Sequence, residues 1–240
     1  MNAMADSNPK LHNYYPPWVQ LPGYVTNRSS VISLITQFGF LWAAVIGVSF
    51  FVIGRLRPKV GLSDRIAFTW MCLTGFIHLF FEAHFVFNHK TLASGQTLFS
   101  QLWKEYSLSD SRYLTLYGSC DRSSYSHPVH HGFIDNMSFQ FAWGPLAFLI
   151  AYCIAVQHPV RHALQIIIST GQVYGDVLYY ATSLIDISYC RPERYYFWFY
   201  YFFFNFIWMA VGCYYIKQSV TEICEVSRRL RSIESFDKED

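Results

Sequence analysis

Charged residues are scarce in this sequence of 240 amino acids, and the scarcity limits the kind of protein it can be. Asp, Glu, Lys and Arg make up 14% of the chain, against about 25% in soluble proteins, whereas hydrophobic residues make up 52% and aromatic residues 20%. A formal net charge of +2 is too small to indicate a nucleic-acid partner. The chain also lacks repeats and Gly/Ser linkers that would divide it. This composition favours a single-domain membrane protein.

Long apolar runs stand where a soluble protein would carry charge. Five stretches are each close to the ~20 residues that a membrane-spanning helix needs. They are residues 31–53, 66–87, 137–156, 163–184 and 197–216. The sequence therefore predicts an all-α, polytopic membrane protein with a five-helix transmembrane bundle. We expect an extramembrane N-terminal arm (1–30), a membrane domain (31–217) with a long loop (88–134), and a tail (218–240).

Basic residues beside the predicted spans indicate the orientation of the chain, because they favour the cytosolic side. They cluster in the first connection, at Arg55, Arg57, Lys59 and Arg65, and after the last span, at Lys217, Arg228, Arg229 and Arg231. We therefore expect a cytosolic C-terminus. The N-terminus and the loop 88–134 are expected on the opposite, lumenal side.

Two features of the lumenal loops leave alternatives open. Cys120 falls in the loop 88–134, and Cys190 falls in the loop 185–193, which is also expected on the lumenal side. An oxidising lumen would permit a disulfide between them, but sequence does not show how far apart they lie. His127, His130 and His131 could bind a metal. We favour a solvated loop and no metal site, because no thiolate or carboxylate has the spacing of a known site.

The second predicted span contains an ionisable pair, His78 and Glu82. At a spacing of four residues the two side chains share one helical face and can touch. Burying such a pair in a membrane is costly unless it is partnered or used. One interpretation is a hydrogen-bonded contact that joins two helices. The other, which we favour, is an acid/base site, since a carboxyl and an imidazole provide a proton donor and a relay.

The start of the third span is polar, with Asp135 and Asn136 ahead of Trp143. Asn136 and Trp143 share one helical face, whereas Asp135 is rotated by about 100° from Asn136. Asp135 is therefore interpreted either as a first-turn carboxylate stabilised by the helix dipole or as a catalytic acid.

The last two spans carry further polar residues. In the fourth, Gln172, Asp176 and Tyr179 share a face, and we expect the histidine of the second span or tyrosine hydroxyls to partner the aspartate. Its role is either a structural hydrogen bond or part of a site. The fifth span is a run of aromatic residues interrupted by Asn205, with Trp208 three residues later. Aromatic faces serve helix packing and also stabilise cations.

These motifs together resemble the emopamil-binding protein family, the sterol Δ8–Δ7 isomerases of the endoplasmic reticulum. The resemblance covers about residues 66–208. It rests on the strings GFIHLFFE, QLWKEY with DSRY, WGPL, QHP, GQVYGDVLYY and YFWFYYFFFNFIW. It implies a five-helix fold in that membrane and a reaction without a cofactor. An acid protonates a ring alkene, aromatic residues and a carboxylate hold the cation, and a base removes a neighbouring proton.

Carried over residue by residue, His78 and Glu82 match the histidine and glutamate of the family, and Asn205 and Trp208 match residues of its sterol cavity. The family has a glutamate where this chain has Asn136. We therefore expect catalysis by His78 and Glu82 with Asp135 as the candidate second carboxylate. We expect the remaining candidates to contact the substrate: Asn136, Trp143, Asp176, Tyr179, Asn205 and Trp208.

Three functions fit these observations. The leading hypothesis is a membrane isomerase that shifts a C=C bond in a sterol. The alternatives are a terpene or meroterpenoid cyclase that uses the same protonation, and a non-enzymatic sterol- or lipid-binding protein. The expected partners are the sterol or terpenoid substrate and the bilayer, and a homodimer is compatible with the sequence.

Overall fold

The structure, a computed structural model, describes residues 12–115, 142–185 and 187–236. In these ranges the chain forms helices and no β-strand, apart from an isolated antiparallel bridge between Asp110 and Cys190. The predicted all-α fold class is confirmed for this part of the chain. Asp135, Asn136, Cys120 and the three loop histidines lie outside it, so the predictions that concern them stay predictions.

Eight α-helices and two π-helical segments organise the described residues. The α-helices are α1 (Val31–Leu56), α2 (Leu62–Phe76), α3 (Ala83–Asn88), α4 (Leu98–Tyr106), α5 (Arg112–Thr115), α6 (Trp143–Val156), α7 (Arg161–Ile185) and α8 (Phe204–Phe236). Segment π1 (Ile77–Glu82) joins α2 to α3, and segment π2 (Tyr196–Phe203) leads into α8. Short 3₁₀ turns follow at His89–Thr91 and Ile187–Tyr189.

Local sequence signals explain several helix ends. Ser30 caps α1 by accepting a hydrogen bond from the Ser33 amide, and Thr97 caps α4 in the same way, as hydroxyl side chains do for otherwise unpaired first-turn amides. Helix α6 ends at Gln157, whose φ of 55° lies in the left-handed region. That conformation stops the helix before the His-Pro dipeptide that follows.

Three helical stretches are long and apolar enough to cross a membrane: Val31–Leu56, Leu62–Thr91 and Tyr196–Ser235. A shorter apolar helix, Trp143–Val156, begins at the edge of the described residues. Helix α7 has 25 residues, enough length to span, but a more polar composition. The chain is therefore an all-α membrane protein, and the count of five spans stays a prediction.

Close helix packing positions the middle of the molecule. Helix α2 packs on α6, and α7 packs on α8. Helix α6 also approaches π1 closely. A Cβ on Gly144 of α6 would lie 3.1 Å from the backbone nitrogen of Leu79 in π1, so only glycine permits this approach. Helix α1 is different, because it contacts α2 and α4 and leaves most of its surface exposed.

Residues of the N-terminal arm pack on α4 and cover one end of the bundle. The Tyr14 hydroxyl donates to the Lys104 carbonyl at 3.0 Å, and the Lys104 ammonium donates to the Val25 carbonyl at 2.8 Å. The Ser29 amide donates to the Gln101 side chain at 2.9 Å. These hydrogen bonds fix α4 at the mouth of the bundle.

A fully buried ion pair fixes the segment after α4. Arg112 and Asp110, each about 1% exposed or less, bond at 2.6 Å. Arg112 also donates to the Ser183 hydroxyl at 2.5 Å, and Tyr179 donates to Asp110 at 3.1 Å. We call Asp110, Arg112, Tyr179 and Ser183 the Asp110 cluster. It ties the loop to the end of α7.

Candidate active site

The His78–Glu82 pair lies within π1, at the centre of the bundle. His78 Nδ1 is 2.5 Å from Glu82 Oε2, so the contact predicted from the four-residue spacing is present. The His78 side chain is 3% exposed and the Glu82 side chain 14% exposed. Glu82 is thus the more exposed member of the pair, and His78 is the more deeply buried one.

A glutamine from another helix orients the histidine. The Gln172 side-chain nitrogen, on α7, lies 3.2 Å from His78 Nε2 in a buried contact. When this amide nitrogen donates, His78 Nε2 accepts, and His78 Nδ1 then carries the proton toward Glu82. This tautomer of the imidazole follows from the orientation of the Gln172 amide group. The chain Gln172–His78–Glu82 therefore fixes the imidazole between an amide and a carboxyl.

The pair opens on an internal cavity of about 420 Å³, within the range of about 300–1,000 Å³ typical of small-molecule sites. Its polar lining is sparse, and its wall is mostly aromatic. The aromatic lining residues are Phe38, Trp42, Phe81, Trp103, Tyr106, Tyr113, Tyr179, Phe199, Tyr200, Phe204 and Trp208. Such a cavity suits a large apolar ligand and stabilises a cation without attacking it.

Both π-helical segments border this cavity. From π1 come His78, Phe81 and Glu82, and from π2 come Phe199 and Tyr200. π-Helical turns interrupt the regular α-helical hydrogen-bond ladder and occur frequently at functional sites. At π1 the Phe81 carbonyl accepts a hydrogen bond from the indole of Trp103 at 2.9 Å. The unusual turn is thereby fixed by a residue of α4.

The predicted residues Asn205 and Trp208 also line the cavity. Asn205 Nδ2 donates to the Tyr106 hydroxyl at 3.0 Å and to the Tyr201 carbonyl at 2.5 Å. Desolvation raises the pKa of the Tyr106 hydroxyl, which keeps it protonated. The ring centroid of Trp208 lies 5.8 Å from that of His78. An indole face is thus available near the acid/base pair.

Asp176 and Tyr179 line the cavity as well. The hydrogen-bond partners expected for Asp176 are not the ones observed. Neither His78 nor a tyrosine hydroxyl bonds to Asp176, and its Oδ2 has no hydrogen-bond partner in the described part of the chain. Gln172 is the residue of that helical face that reaches His78. Tyr179 donates instead to Asp110.

Trp143 does not line the cavity. It packs on α7, where a Cβ on Gly171 would lie 2.3 Å from Trp143 Cζ2. The indole occupies space that any larger residue at position 171 would fill. In this arrangement Trp143 serves helix packing, and its predicted substrate contact stays a prediction.

Sequence reasoning missed part of the cavity wall. Trp103, Tyr106 and Tyr113 come from α4 and α5, in the loop between the second and third predicted spans. In the sequence, the alternation of apolar and charged residues in QLWKEY and DSRY predicts a short interfacial helix and a turn. It did not indicate that this helix closes the cavity.

The fold and the site define the class of the protein: an all-α membrane protein with a buried His–Glu pair on the wall of an aromatic cavity. The chain itself belongs to the EBP family, described as EXPERA (EXPanded EBP superfamily), whose sequence profile matches residues 98–219.

Relatives of two kinds are similar to it. The chain is 33% identical over 207 residues to the 3-beta-hydroxysteroid-Delta(8),Delta(7)-isomerase of Rattus norvegicus, with 84% of each chain covered. It is 30% identical to a protoglabretal synthase of Citrus sinensis, over 84% of this chain and 90% of that one. An isomeliandiol synthase of Melia azedarach is 31% identical, over 70% and 73% of the two chains. These relatives are named as isomerases and synthases, and the chain is an enzyme of this family.

Proposed function

We propose that this protein is a membrane isomerase that shifts a C=C double bond in a sterol by protonation and deprotonation. The observation that carries the proposal is the pair His78–Glu82, hydrogen-bonded at 2.5 Å on the wall of an aromatic cavity. The similarity of the chain to the rat isomerase, at 33% identity over most of both chains, supports a sterol as substrate.

In this proposal the two residues carry different parts of the proton transfer. Glu82 is the more exposed member of the pair, so it delivers the proton to the alkene. His78 is more deeply buried and bonded to Gln172, and it returns a proton to Glu82 through Nδ1. Asp135 and Asn136 lie outside the described residues, and their predicted roles stay as stated.

Aromatic faces stabilise the carbocation that protonation creates. Trp208 lies beside His78, and Phe81 and Trp103 stack at 4.7 Å with an interplanar angle of 9°. Ring faces attract a cation electrostatically and do not form a bond to it under these conditions. The mostly apolar wall of the cavity disfavours water, which would trap the cation as an alcohol.

We further propose residence in the endoplasmic reticulum membrane, with a lumenal N-terminus and a cytosolic C-terminus. The uneven distribution of basic residues around the apolar helices supports this orientation. In this orientation α4 and the N-terminal arm cover the lumenal end of the cavity. A glycosylation acceptor placed ahead of Tyr14 would be modified, and one placed after Phe236 would not.

The activity is tested in microsomes that contain the wild-type protein and are supplied with a Δ8 sterol. We expect conversion to the Δ7 sterol. Glu82→Gln is expected to lower turnover by at least about 100-fold, the usual contribution of a general acid, while sterol binding is retained. Unchanged Δ8 sterol with the wild type, or full activity of Glu82→Gln, would refute the assignment.

A cyclisation is the second candidate, and the similarity to two proteins named as synthases favours it. Protonation by Glu82 followed by ring closure would use the same pair and the same cavity. If the wild type leaves Δ8 sterols unchanged but converts a polyprenyl-derived alkene to a cyclic product, the cyclase assignment replaces the isomerase assignment.

A further inference from the structure

Moving a double bond adds a proton at one carbon and removes a proton from another. In the proposed function, the His78–Glu82 pair of π1 supplies the added proton. After Glu82 protonates one alkene carbon, a proton must leave the carbon on the other side of the cation. The electron pair of that C–H bond becomes the new C=C bond. A group on the cavity wall must accept the departing proton, and this requirement rests on the proposed isomerase function.

Among the described residues, two carboxyl side chains line the cavity, Glu82 and Asp176. Asp176 lies on α7, one turn beyond Gln172, which bonds to His78. Asp176 thus lies on the wall of the same cavity as the His78–Glu82 pair.

The hydrogen bonding of Asp176 differs from that of the other buried aspartate. Asp176 is 9% exposed, yet its Oδ2 has no hydrogen-bond partner within the described ranges. A buried polar atom without a partner costs free energy, so such an atom requires an explanation such as a catalytic role. Asp110, by contrast, accepts hydrogen bonds from Arg112 and Tyr179 and has no comparable capacity for a ligand.

We propose that Asp176 is the proton acceptor of the second step. Its carboxylate removes a proton from the carbon next to the cation, the C–H electron pair forms the new double bond, and the product leaves neutral. The proton then returns from Asp176 to the neighbouring Glu82–His78 pair. One proton enters the substrate and one leaves it in each cycle, so no oxidant, reductant or further reactant is needed.

Isotope effects in the microsomal assay separate the two steps. Asp176→Asn is expected to lower kcat for the Δ8 sterol at least about 100-fold, with the Tm unchanged or raised, because an unpartnered carboxyl has been removed. Asp176→Glu should retain measurable turnover and show a larger isotope effect with substrate deuterated at C7, the carbon that loses its proton. Glu82→Asp should instead increase the solvent isotope effect. Glu225→Gln, an exposed carboxyl on α8, is the control for removal of charge.

Each outcome decides between the possible explanations. An active wild type with Asp176→Asn within about threefold of it would overturn the role of Asp176 alone. The same conclusion follows if Asp176→Glu shows an unchanged C7 isotope effect, or if Asp135→Asn shows the predicted loss in place of Asp176→Asn. A wild type that leaves Δ8 sterols unchanged would overturn the proposed function, and with it the assignment of Asp176.

Discussion

Two buried groups of ionisable residues meet on α7, and they are built in opposite ways. In the Asp110 cluster, the carboxylate is bonded by Arg112 at 2.6 Å and by Tyr179 at 3.1 Å, and opposite charges compensate each other. In the cavity, the two carboxyls Glu82 and Asp176 share the wall with one imidazole, and the described lining residues include no arginine or lysine. The first group is satisfied by the protein, and the second is arranged around space for a ligand.

This difference distinguishes Asp110, whose role is structural, from Asp176, for which we propose a role in catalysis. Both aspartates are more than nine-tenths buried, so burial does not distinguish them. The distinguishing property is whether the carboxyl oxygens are already bonded. Tyr179 belongs to both regions, because its ring lines the cavity and its hydroxyl donates to Asp110. Tyr179 therefore connects the Asp110 cluster to the wall of the cavity.

The largest expected effect comes from breaking the Asp110 cluster. Asp110→Asn should lower the free energy of unfolding by about 3–5 kcal/mol, because it leaves the buried Arg112 guanidinium without its opposite charge. Denaturation of the detergent-solubilised protein measures this loss. Glu82→Gln keeps an oxygen that can accept a hydrogen bond from His78, so it is expected to lower stability less than Asp110→Asn does, although it lowers turnover by at least about 100-fold.

An exposed ion pair serves as the matched control for that prediction. Arg191 and Glu193 bond at 2.9 Å, but the Glu193 side chain is 56% exposed. Glu193→Gln should therefore cost less than about 1 kcal/mol. If Asp110→Asn costs no more than this control, the contrast between a satisfied and an open region loses its basis.

A smaller effect is expected at the residue that the two regions share. Tyr179→Phe keeps the aromatic wall of the cavity and removes the hydrogen bond to the Asp110 carboxylate, so it should lower stability by about 1.5–3 kcal/mol. Turnover should fall far less than in Glu82→Gln. Tyr180→Phe is the control, because the Tyr180 hydroxyl donates to a neutral carbonyl, that of Phe202, at 2.8 Å. Equal losses in the two variants would contradict the assignment.

The last expected effect is a dependence on pH, and it concerns a third buried charge, outside both regions. Burial lowers the pKa of Lys104 from its ordinary value of 10.5 to about 8. Between these two values the unfolded chain binds more protons at this site than the folded protein does. Stability should therefore rise with pH in this window, by up to about 1.4 kcal/mol per pH unit.

A variant isolates that contribution from other groups that titrate above pH 8. Lys104→Met keeps a long apolar stem but removes the ammonium that donates to the Val25 carbonyl. The difference in Tm between wild type and variant, measured across a pH series, should change in favour of the wild type as pH rises. A constant difference would show that Lys104 titrates at its ordinary pKa in the folded protein.

The sequence alone predicted those features that depend on local spacing. Apolar runs indicated the helices, and the four-residue spacing of His78 and Glu82 predicted their contact, which the structure confirms. The shared face of Gln172 and Asp176 was also predictable, because both lie on one regular helix. Such features require nothing beyond 3.6 residues per turn.

Features that depend on contacts between distant segments could not be predicted in this way. Gln172 reaches His78 across 94 residues of sequence, and Trp103 reaches the Phe81 carbonyl across 22. Docking of the arm on α4 joins Val25 to Lys104 across 79 residues. No local pattern encodes which of several polar side chains will meet, so the partner of Asp176 was wrongly expected.

The two π-helical segments have a consequence for how related sequences are compared. A hydrogen bond from residue i to i+5 adds one residue to a turn, and one residue corresponds to about 100° of rotation around an α-helix. Side chains before and after Ile77–Glu82, or before and after Tyr196–Phe203, therefore follow different helical phases. Deleting a single residue in either segment would restore a regular helix and rotate one half of it away from the cavity. Insertions and deletions at these two places thus change which side chains face the substrate, even when every motif residue is retained.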